Sequence, residues 1–154
     1  MEITVGQQAP SFSLYNTERN LVSLDDVKGK NVVLLFFPLA FTSTCTAELC
    51  SVRDNIATYN DTNAVVFGIS VDSTATLQRF KEDQNLNFDL LSDFNKTASK
   101  AYNVLYDSFG NMEMQGVSKR AAFVINPDGK ILYAEVCASP ADVPDFDKIK
   151  NSLQ

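Results

Sequence analysis

The chain has 154 residues, 45% of them hydrophobic, which predicts one globular domain over residues 1–154 with a sizeable core. A formal net charge of -6, with acidic residues spread along the chain, argues against a surface for binding nucleic acid or an anionic membrane. No apolar stretch approaches the ~20 residues that span a bilayer, and residues 1–6 lack the pattern of a signal peptide, so we expect a cytoplasmic protein.

The first half of the chain predicts an N-terminal β-hairpin and then alternating strands and helices. We expect strands at 12–14, 21–24, 32–37 and 64–71. The strand at 32–37 is a continuous apolar run, typical of a strand that is buried on both faces of a sheet. A helix of about four turns is expected to begin near Cys45 and to end at the polar break 60–63.

The second half predicts more helices and a second hairpin. A helix that contains Leu77 and Phe80 is expected after a cap at Asp72 or Ser73. Further elements are expected at 88–91 (extended), 97–102 (helix), 121–125 and 130–134 (hairpin strands), and 142–153 (helix). The order of elements predicts an α/β fold, with a central mixed β-sheet and helices on both faces.

A proline and a cysteine mark the end of the apolar strand at 32–37. Pro38 ends the strand, and Cys45 follows where helical patterning begins. The hydroxyl residues 42–44 can cap a helix, and Glu48 has the spacing of a capping box. Cys45 is therefore expected in the first turn of a helix, where backbone N–H groups favour a thiolate. Functional sites of open α/β sheets lie at such strand ends.

The activation of Cys45 has to come from groups other than histidine, because the chain contains none. This excludes Cys-His dyads, Ser-His-Asp triads and histidine-containing zinc sites, and we expect no metal and no cofactor. Arg120 directly precedes a predicted core strand and is the best candidate for a nearby guanidinium, with Lys119 and Arg53 as alternatives. Thr42 offers a hydroxyl donor.

Such donors suit an electrophile that becomes more anionic as it reacts. Attack of a thiolate on a peroxide O–O bond gives cysteine sulfenic acid and releases an alkoxide or hydroxide. Guanidinium, hydroxyl and amide donors would stabilise the departing oxygen. Peroxide reduction is therefore the chemistry that these residues favour.

The pattern Pro38-x-x-x-Thr42-x-x-Cys45 after a core strand, with Glu48 and a later Arg120, resembles the active-site signature of the peroxiredoxins. The resemblance implies that Cys45 is the peroxidatic cysteine and that Thr42 and Arg120 activate the thiolate and the peroxide. It further implies that Pro38 shields the pocket and that Glu48 joins the hydrogen-bond network around the arginine.

The resemblance extends over nearly the whole chain, from residues 5–12 to the hairpin turn at 126–129. It implies a thioredoxin-like fold. The segment 37–42 is especially similar to the alkyl hydroperoxide reductase E type. That similarity suggests a homodimer, whereas peroxiredoxins of the bacterioferritin-comigratory or Q type are often monomers.

Cys50 follows Cys45 by five residues, the spacing at which the second cysteine of Q-type peroxiredoxins resolves the sulfenic acid as an intramolecular disulfide. Two residues at this spacing on one helix have Cα atoms roughly 8 to 9 Å apart, beyond the ~7 Å limit for a disulfide. The first helical turns must therefore unwind if Cys50 resolves Cys45. The alternative is that Cys50 is a small buried helix residue.

Cys137 directly follows the second hairpin strand and superficially resembles the resolving segment of typical two-cysteine peroxiredoxins. It comes too early in the chain for that segment. A structural role is expected for it, with an intersubunit disulfide as the alternative.

The predicted function is a thiol-dependent peroxidase that reduces hydrogen peroxide and organic hydroperoxides, with a thioredoxin-like or glutaredoxin-like reductant as partner. Phe41 is most simply a core residue and can also line a pocket that prefers organic hydroperoxides. Without the Gly-Gly-Leu-Gly element of easily overoxidised relatives, the chain is expected to resist hyperoxidation. The alternatives are a peroxide-sensing redox switch or holdase, and a thioredoxin-like disulfide oxidoreductase, although the latter usually has Cys-x-x-Cys.

Overall fold

The computed structural model describes residues 2–154, so Met1, which opens the segment compared above with a signal peptide, lies outside the described residues. The strands are β1 (Ser13–Asn16), β2 (Leu21–Ser23), β3 (Asn31–Phe36), β4 (Ala64–Ser70), β5 (Asp89–Ser92), β6 (Ala121–Ile125) and β7 (Ile131–Val136). The helices are α1 (Ser43–Asp54), α2 (Ile56–Asp61), α3 (Thr74–Gln84), α4 (Thr97–Ala101) and α5 (Phe146–Ser152). Among residues 2–154, no helix is both long and apolar enough to cross a membrane.

All the strands belong to one seven-stranded mixed sheet in the order β2-β1-β5-β4-β3-β6-β7. The three central strands β3, β4 and β5 run parallel, because α1 to α3 provide the crossovers between them. The hairpins β1–β2 and β6–β7 add antiparallel strands on the two sides. The predicted mixed sheet and N-terminal hairpin are confirmed.

The central strand β3 is buried on both faces, as its apolar run predicts. Its side chains alternate between two hydrophobic clusters, since successive side chains of a strand point to opposite faces. One cluster contains Val33 and Leu35 together with residues of α1, α3 and α5. The other contains Leu34 and Phe36 together with Ala98 of α4. Helices therefore cover both faces of the sheet, but most lie on one of them.

Several predicted boundaries differ from the structure, and three of the differences stand out. The four-turn helix after Cys45 is broken at Asn55, whose side chain donates to the Ser51 carbonyl, so that α1 and α2 are separate helices. The last helix starts at Phe146 rather than at 142, because Pro144 keeps the preceding residue extended. The strand predicted to end at residue 24 stops earlier, where a 3-10 helix (Leu24–Val27) begins.

Candidate active site

The loop between β3 and α1 is held against the carboxyl end of β4. Phe37 donates its backbone N–H to the Ile69 carbonyl at 3.0 Å, and Pro38 follows in a buried position. The backbone N–H of Ala40 donates to Asp72 Oδ2 at 2.8 Å. The same carboxylate oxygen accepts from the Ser70 hydroxyl at 2.7 Å. A residue that the sequence suggested only as a helix cap, Asp72, therefore orients the loop that leads to Cys45.

Phe41 lies at the end of this loop with a left-handed backbone conformation, φ 69°. A positive φ is rare for a bulky residue such as phenylalanine. Here it allows the sharp turn from the loop into α1. The ring packs edge-on against Phe80, with centroids 5.2 Å apart, yet 51% of Phe41 stays exposed. The prediction that Phe41 is a core residue is wrong, because the backbone turn directs its side chain towards the surface, over the ring of Phe80.

Thr42 is the N-cap of α1, but its side chain does not cap the helix. Its hydroxyl donates to the Leu39 carbonyl at 3.0 Å, while its own carbonyl accepts from the backbone N–H of Thr46. Thr42 is exposed and lies three residues before Cys45. In this state the hydroxyl is therefore engaged by the loop rather than by the cysteine sulfur.

Cys45 is in the first turn of α1, as predicted, and is fully buried. Arg120 Nη1 donates to Cys45 Sγ at 3.1 Å. The two alternatives for this guanidinium have other partners: Arg53 pairs with Asp54, and Lys119 lies over the ring of Tyr106. The structure thus brings together the nucleophile and the arginine that the sequence favoured, although they are 75 residues apart in the chain.

Arg120 is almost completely buried at the start of β6 and is held at three points. Its Nη1 also donates to Glu48 Oε1 at 2.8 Å, and its Nη2 donates to the Pro140 carbonyl at 3.1 Å. Burial lowers the pKa of Arg120, but the Glu48 carboxylate and the Cys45 sulfur more than offset this effect. The guanidinium therefore stays charged against the buried sulfur.

Glu48 lies on the same face of α1 as Cys45 and is also buried. Burial raises the pKa of Glu48 to about 7, although the adjacent Arg120 acts in the opposite direction. The carboxyl thus changes its charge near neutral pH. The capping-box role of Glu48 is wrong, because its side chain turns inward to Arg120, while its expected place in the arginine's network is observed.

The cluster retains hydrogen-bonding capacity. Within residues 2–154, Arg120 Nε and Glu48 Oε2 are buried and have no hydrogen-bond partner. Most buried polar atoms in folded proteins have a hydrogen-bond partner. One donor and one acceptor of the cluster around the Cys45 sulfur are therefore not used by other protein groups among residues 2–154.

Cys50 lies on α1 with Cys45 but is only partly buried. Its sulfur donates to Gln84 Oε1 of α3 at 3.4 Å, and all three cysteines of the chain are free thiols. Because α1 is continuous from Ser43 to Asp54, the two cysteines have the helical separation of roughly 8 to 9 Å between Cα atoms. A disulfide between them requires part of α1 to unwind.

Cys137 directly follows β7, as predicted, and is buried beside Arg120. Its backbone N–H donates to the Arg120 carbonyl at 2.9 Å. Burial and the carboxylates of Glu135 and Glu48 raise the pKa of Cys137 to about 11. This neighbourhood was missed by the sequence analysis, because the predicted strands 121–125 and 130–134 do not fix the register of the hairpin. In the observed register Ala121 pairs with Val136, so Arg120 and Cys137 are the next pair along the two strands.

Comparison with known proteins agrees with this arrangement. Residues 5–134 match the model of the AhpC/TSA family. The chain is 43% identical over 133 residues to the putative peroxiredoxin bcp of Coxiella burnetii, covering 85% of this chain and 87% of that protein. It is 36% identical over 146 residues to alkyl hydroperoxide reductase E of Mycobacterium bovis, covering 93% and 91%.

Among solved structures, peroxidoxin BcpB from Mycobacterium tuberculosis superimposes with a TM-score of 0.86 at 28% sequence identity. The alignment covers 99% of this chain and 97% of that one. The expected thioredoxin-like fold, with its N-terminal hairpin, is confirmed by this likeness.

Proposed function

The chain belongs to the AhpC/TSA family and is a thiol-dependent peroxidase, and we propose that Cys45 is the thiolate that attacks the peroxide. The observation that carries this assignment is the 3.1 Å hydrogen bond from Arg120 Nη1 to Cys45 Sγ in a buried site. A fixed positive charge and the N–H groups of the first turn of α1 both favour a thiolate at this position.

The first step transfers one oxygen atom to sulfur. The Cys45 thiolate attacks one peroxide oxygen, so that an S–O bond forms as the O–O bond breaks. Sulfur is oxidised to a sulfenic acid, and the peroxide is reduced to an alkoxide or hydroxide that takes up a proton. Arg120 stabilises the negative charge as it moves from sulfur to the departing oxygen. We propose that the Thr42 hydroxyl is a second hydrogen-bond donor to the peroxide. To reach the peroxide, this hydroxyl must rotate away from the Leu39 carbonyl.

Two further residues define the environment of this step. Pro38 is buried in the loop before α1, and its apolar ring has no N–H to bind water. We therefore propose that Pro38 shields the Cys45 sulfur from water. Glu48 holds Arg120 at 2.8 Å and changes its charge near pH 7. We assign to Glu48 the orientation of the guanidinium, and the protonation of Glu48 leaves more of the arginine's charge to the sulfur.

We propose that Cys50 resolves the sulfenic acid and that Cys137 has a structural role. Cys50 is partly exposed and lies on the same helix as Cys45, which supports an intramolecular disulfide after local unwinding of α1. The raised pKa of Cys137, about 11, keeps that thiol protonated and slow to react.

A complete cycle needs a reductant for the disulfide. We propose a thioredoxin-like or glutaredoxin-like dithiol protein, hydrogen peroxide and organic hydroperoxides as substrates, and a reducing cytoplasmic location. The relative named alkyl hydroperoxide reductase E supports the organic substrates. We further propose that residues 1–154 form one domain, since strands from both ends of the chain share one sheet, and that the domain can pair as a homodimer.

The test combines turnover with chemical trapping. Peroxide consumption with a dithiol donor is expected to be saturable and to be abolished in Cys45→Ser. In Cys50→Ser, dimedone is expected to label Cys45 after one equivalent of peroxide, whereas the wild type is expected to give a Cys45–Cys50 disulfide on peptide mapping. Turnover that survives in Cys45→Ser would overturn the assignment. Stoichiometric oxidation without turnover would indicate a redox switch.

A further inference from the structure

The two ends of α1 are held by different kinds of contact. At the N-terminal end, Cys45 and Glu48 both accept from Arg120. At the C-terminal end, Cys50 and Arg53 contact Gln84, the last residue of α3. Because a disulfide between the two cysteines requires α1 to unwind, the relative strength of these contacts decides which end moves.

The contacts at the C-terminal end converge on one residue. The Cys50 sulfur donates to Gln84 Oε1 at 3.4 Å, and Arg53 Nη1 donates to the backbone carbonyl of Gln84. That carbonyl belongs to the last turn of α3, where carbonyl groups lack helical partners, so the guanidinium satisfies it. Arg53 is itself fixed by a 2.9 Å hydrogen bond from its Nε to Asp54, and its carbonyl accepts from the side chain of Asn87.

Oxidation of Cys45 weakens only the N-terminal contacts. The Arg120 hydrogen bond is strong while the sulfur is a thiolate, because donors bind charged acceptors more tightly. A sulfenic acid is uncharged and one oxygen larger, in a site where Cys45 is fully buried. The contacts of Cys50 and Arg53 with Gln84 involve neither the charge nor the volume of the oxidised group.

We propose that Gln84 and Arg53 are positioning residues for resolution: they hold Cys50 and the C-terminal half of α1 on α3 while the first turns unwind and carry the Cys45 sulfenic acid to it. The proposal rests on the assignment of Cys50 as the resolving cysteine. The Cys50 sulfur then stays in place, and only the Cys45 sulfur has to move for the disulfide to form.

The same two residues suit the chemistry of the resolving thiol. In resolution, Cys50 loses its proton and its sulfur attacks the Cys45 sulfur. The S–S bond forms as the S–O bond breaks, and the departing hydroxide takes up a proton, equal in number to the one lost by Cys50, and leaves as water. The Gln84 amide can accept from the thiol and, after rotation of the amide, donate to the thiolate. The guanidinium of Arg53, one turn further along α1, holds the Gln84 carbonyl and so keeps the amide of Gln84 next to Cys50.

The test separates the two chemical steps. Wild type, Gln84→Met and Arg53→Met are mixed with peroxide, quenched at increasing times and analysed by intact mass and peptide mapping. Methionine keeps the length of either side chain but removes the contacts with α3. Gln78→Met, an exposed glutamine of the same helix, is the matched control.

Sulfenic acid formation at Cys45 is expected at the wild-type rate in all variants. Disulfide formation is expected to slow by roughly fivefold to tenfold in Gln84→Met and Arg53→Met, the effect of losing about one hydrogen bond. In excess peroxide, both variants are expected to accumulate more Cys45 sulfinic acid, because the sulfenic acid persists for longer. A purely structural defect would not change the second step alone.

Unchanged or faster disulfide formation in both variants would overturn the proposal. Faster formation would mean that Gln84 and Arg53 restrain Cys50 instead of presenting it. A wild-type peptide map without a Cys45–Cys50 disulfide would overturn the assignment of the resolving cysteine and this proposal with it. Mapping the wild type first tells the two failures apart.

Discussion

Cys45 and Cys137 are both buried next to Arg120, yet they contact it through different atoms. The Cys45 sulfur accepts a hydrogen bond from the guanidinium, whereas Cys137 donates its backbone N–H to the Arg120 carbonyl. The carboxylates of Glu135 and Glu48 raise the pKa of Cys137 and outweigh the opposing effect of the Arg120 guanidinium. Burial by itself favours the neutral thiol. Two cysteines that are buried beside the same arginine therefore differ in the groups that reach their sulfur atoms, and our proposal that Cys45 reacts and Cys137 does not rests on this difference.

The largest expected effect comes from removing the charge that Cys45 faces. Arg120→Met is expected to lower kcat/KM for peroxide by roughly 10²-fold to 10³-fold, the cost of losing a donor to the transition state. It should also reduce the free energy of unfolding by roughly 3 to 5 kcal/mol above pH 7, because Glu48 is left buried without its partner. Peroxide turnover and urea unfolding measure the two effects.

Arg79→Met is the matched control for this variant. Arg79 forms an ion pair with Asp83 on the surface of α3, and its side chain is 72% exposed. Such pairs contribute little to stability. If Arg79→Met and Arg120→Met had equal effects, the buried guanidinium would not distinguish Cys45 from other sites.

A second prediction concerns the carboxyl group of Glu48, which accepts a hydrogen bond from Arg120. Glu48 has a pKa near 7 in the folded protein, above its ordinary value of 4.5, so the folded state binds more protons between these values. The free energy of unfolding is therefore expected to fall as pH rises from 4.5 to 7, by at most about 1.4 kcal/mol per pH unit. Urea unfolding at several pH values should show this decline in wild type.

Glu48→Gln is expected to remove that contribution, since an amide does not titrate in this range. A difference between wild type and Glu48→Gln that stays constant from pH 4.5 to 7 would contradict the raised pKa. The variant also sharpens the comparison of the cysteines, because it removes one of the carboxylates that Cys137 faces.

A smaller effect is expected when the other carboxylate is removed. Glu135→Gln should lower the pKa of Cys137 and speed its alkylation by less than about tenfold, because burial, the largest cause of the raised pKa, is unchanged. Iodoacetamide labelling followed by mass spectrometry, with Cys45 and Cys50 replaced by serine, measures the rate. No acceleration would mean that burial alone protects Cys137.

The smallest effect is expected for Cys137→Ser, whose kcat/KM for peroxide should stay within about twofold of wild type, because the raised pKa keeps the thiol protonated and the proposed cycle does not use it. Steady-state turnover with a dithiol donor measures it. A large loss of turnover, or a disulfide that joins Cys137 to another chain, would reverse the roles assigned to the two cysteines.

Much of the fold was predictable because its signals are local. The apolar run of β3 and the proline that follows it predict a buried strand and the end of that strand. The two helix boundaries that differ most do so where a single side chain competes with the helix, at Asn55, and where a proline limits its neighbour, at Pro144.

The candidate site was only partly predictable for a different reason. The positions of Cys45 and Arg120 relative to predicted elements, together with the family pattern, pointed to both residues. The role of Glu48 as a cap was wrong, because the spacing of a capping box does not show whether a side chain turns back to the helix end or inward to a buried guanidinium. Asp72, which orients the loop through Ala40, was suggested only as a cap.

By itself, the sequence determined that Cys45 lies in the first turn of a helix after a buried strand, since strand, proline and helix start are local features of the chain. It also determined that no histidine can activate this thiol. Only the tertiary structure decided how the three cysteines differ. Arg120 reaches Cys45, Gln84 reaches Cys50, and Glu135 lies near Cys137, because the sheet and α3 bring distant segments together. The charge around a buried sulfur depends on such contacts, which no local pattern contains.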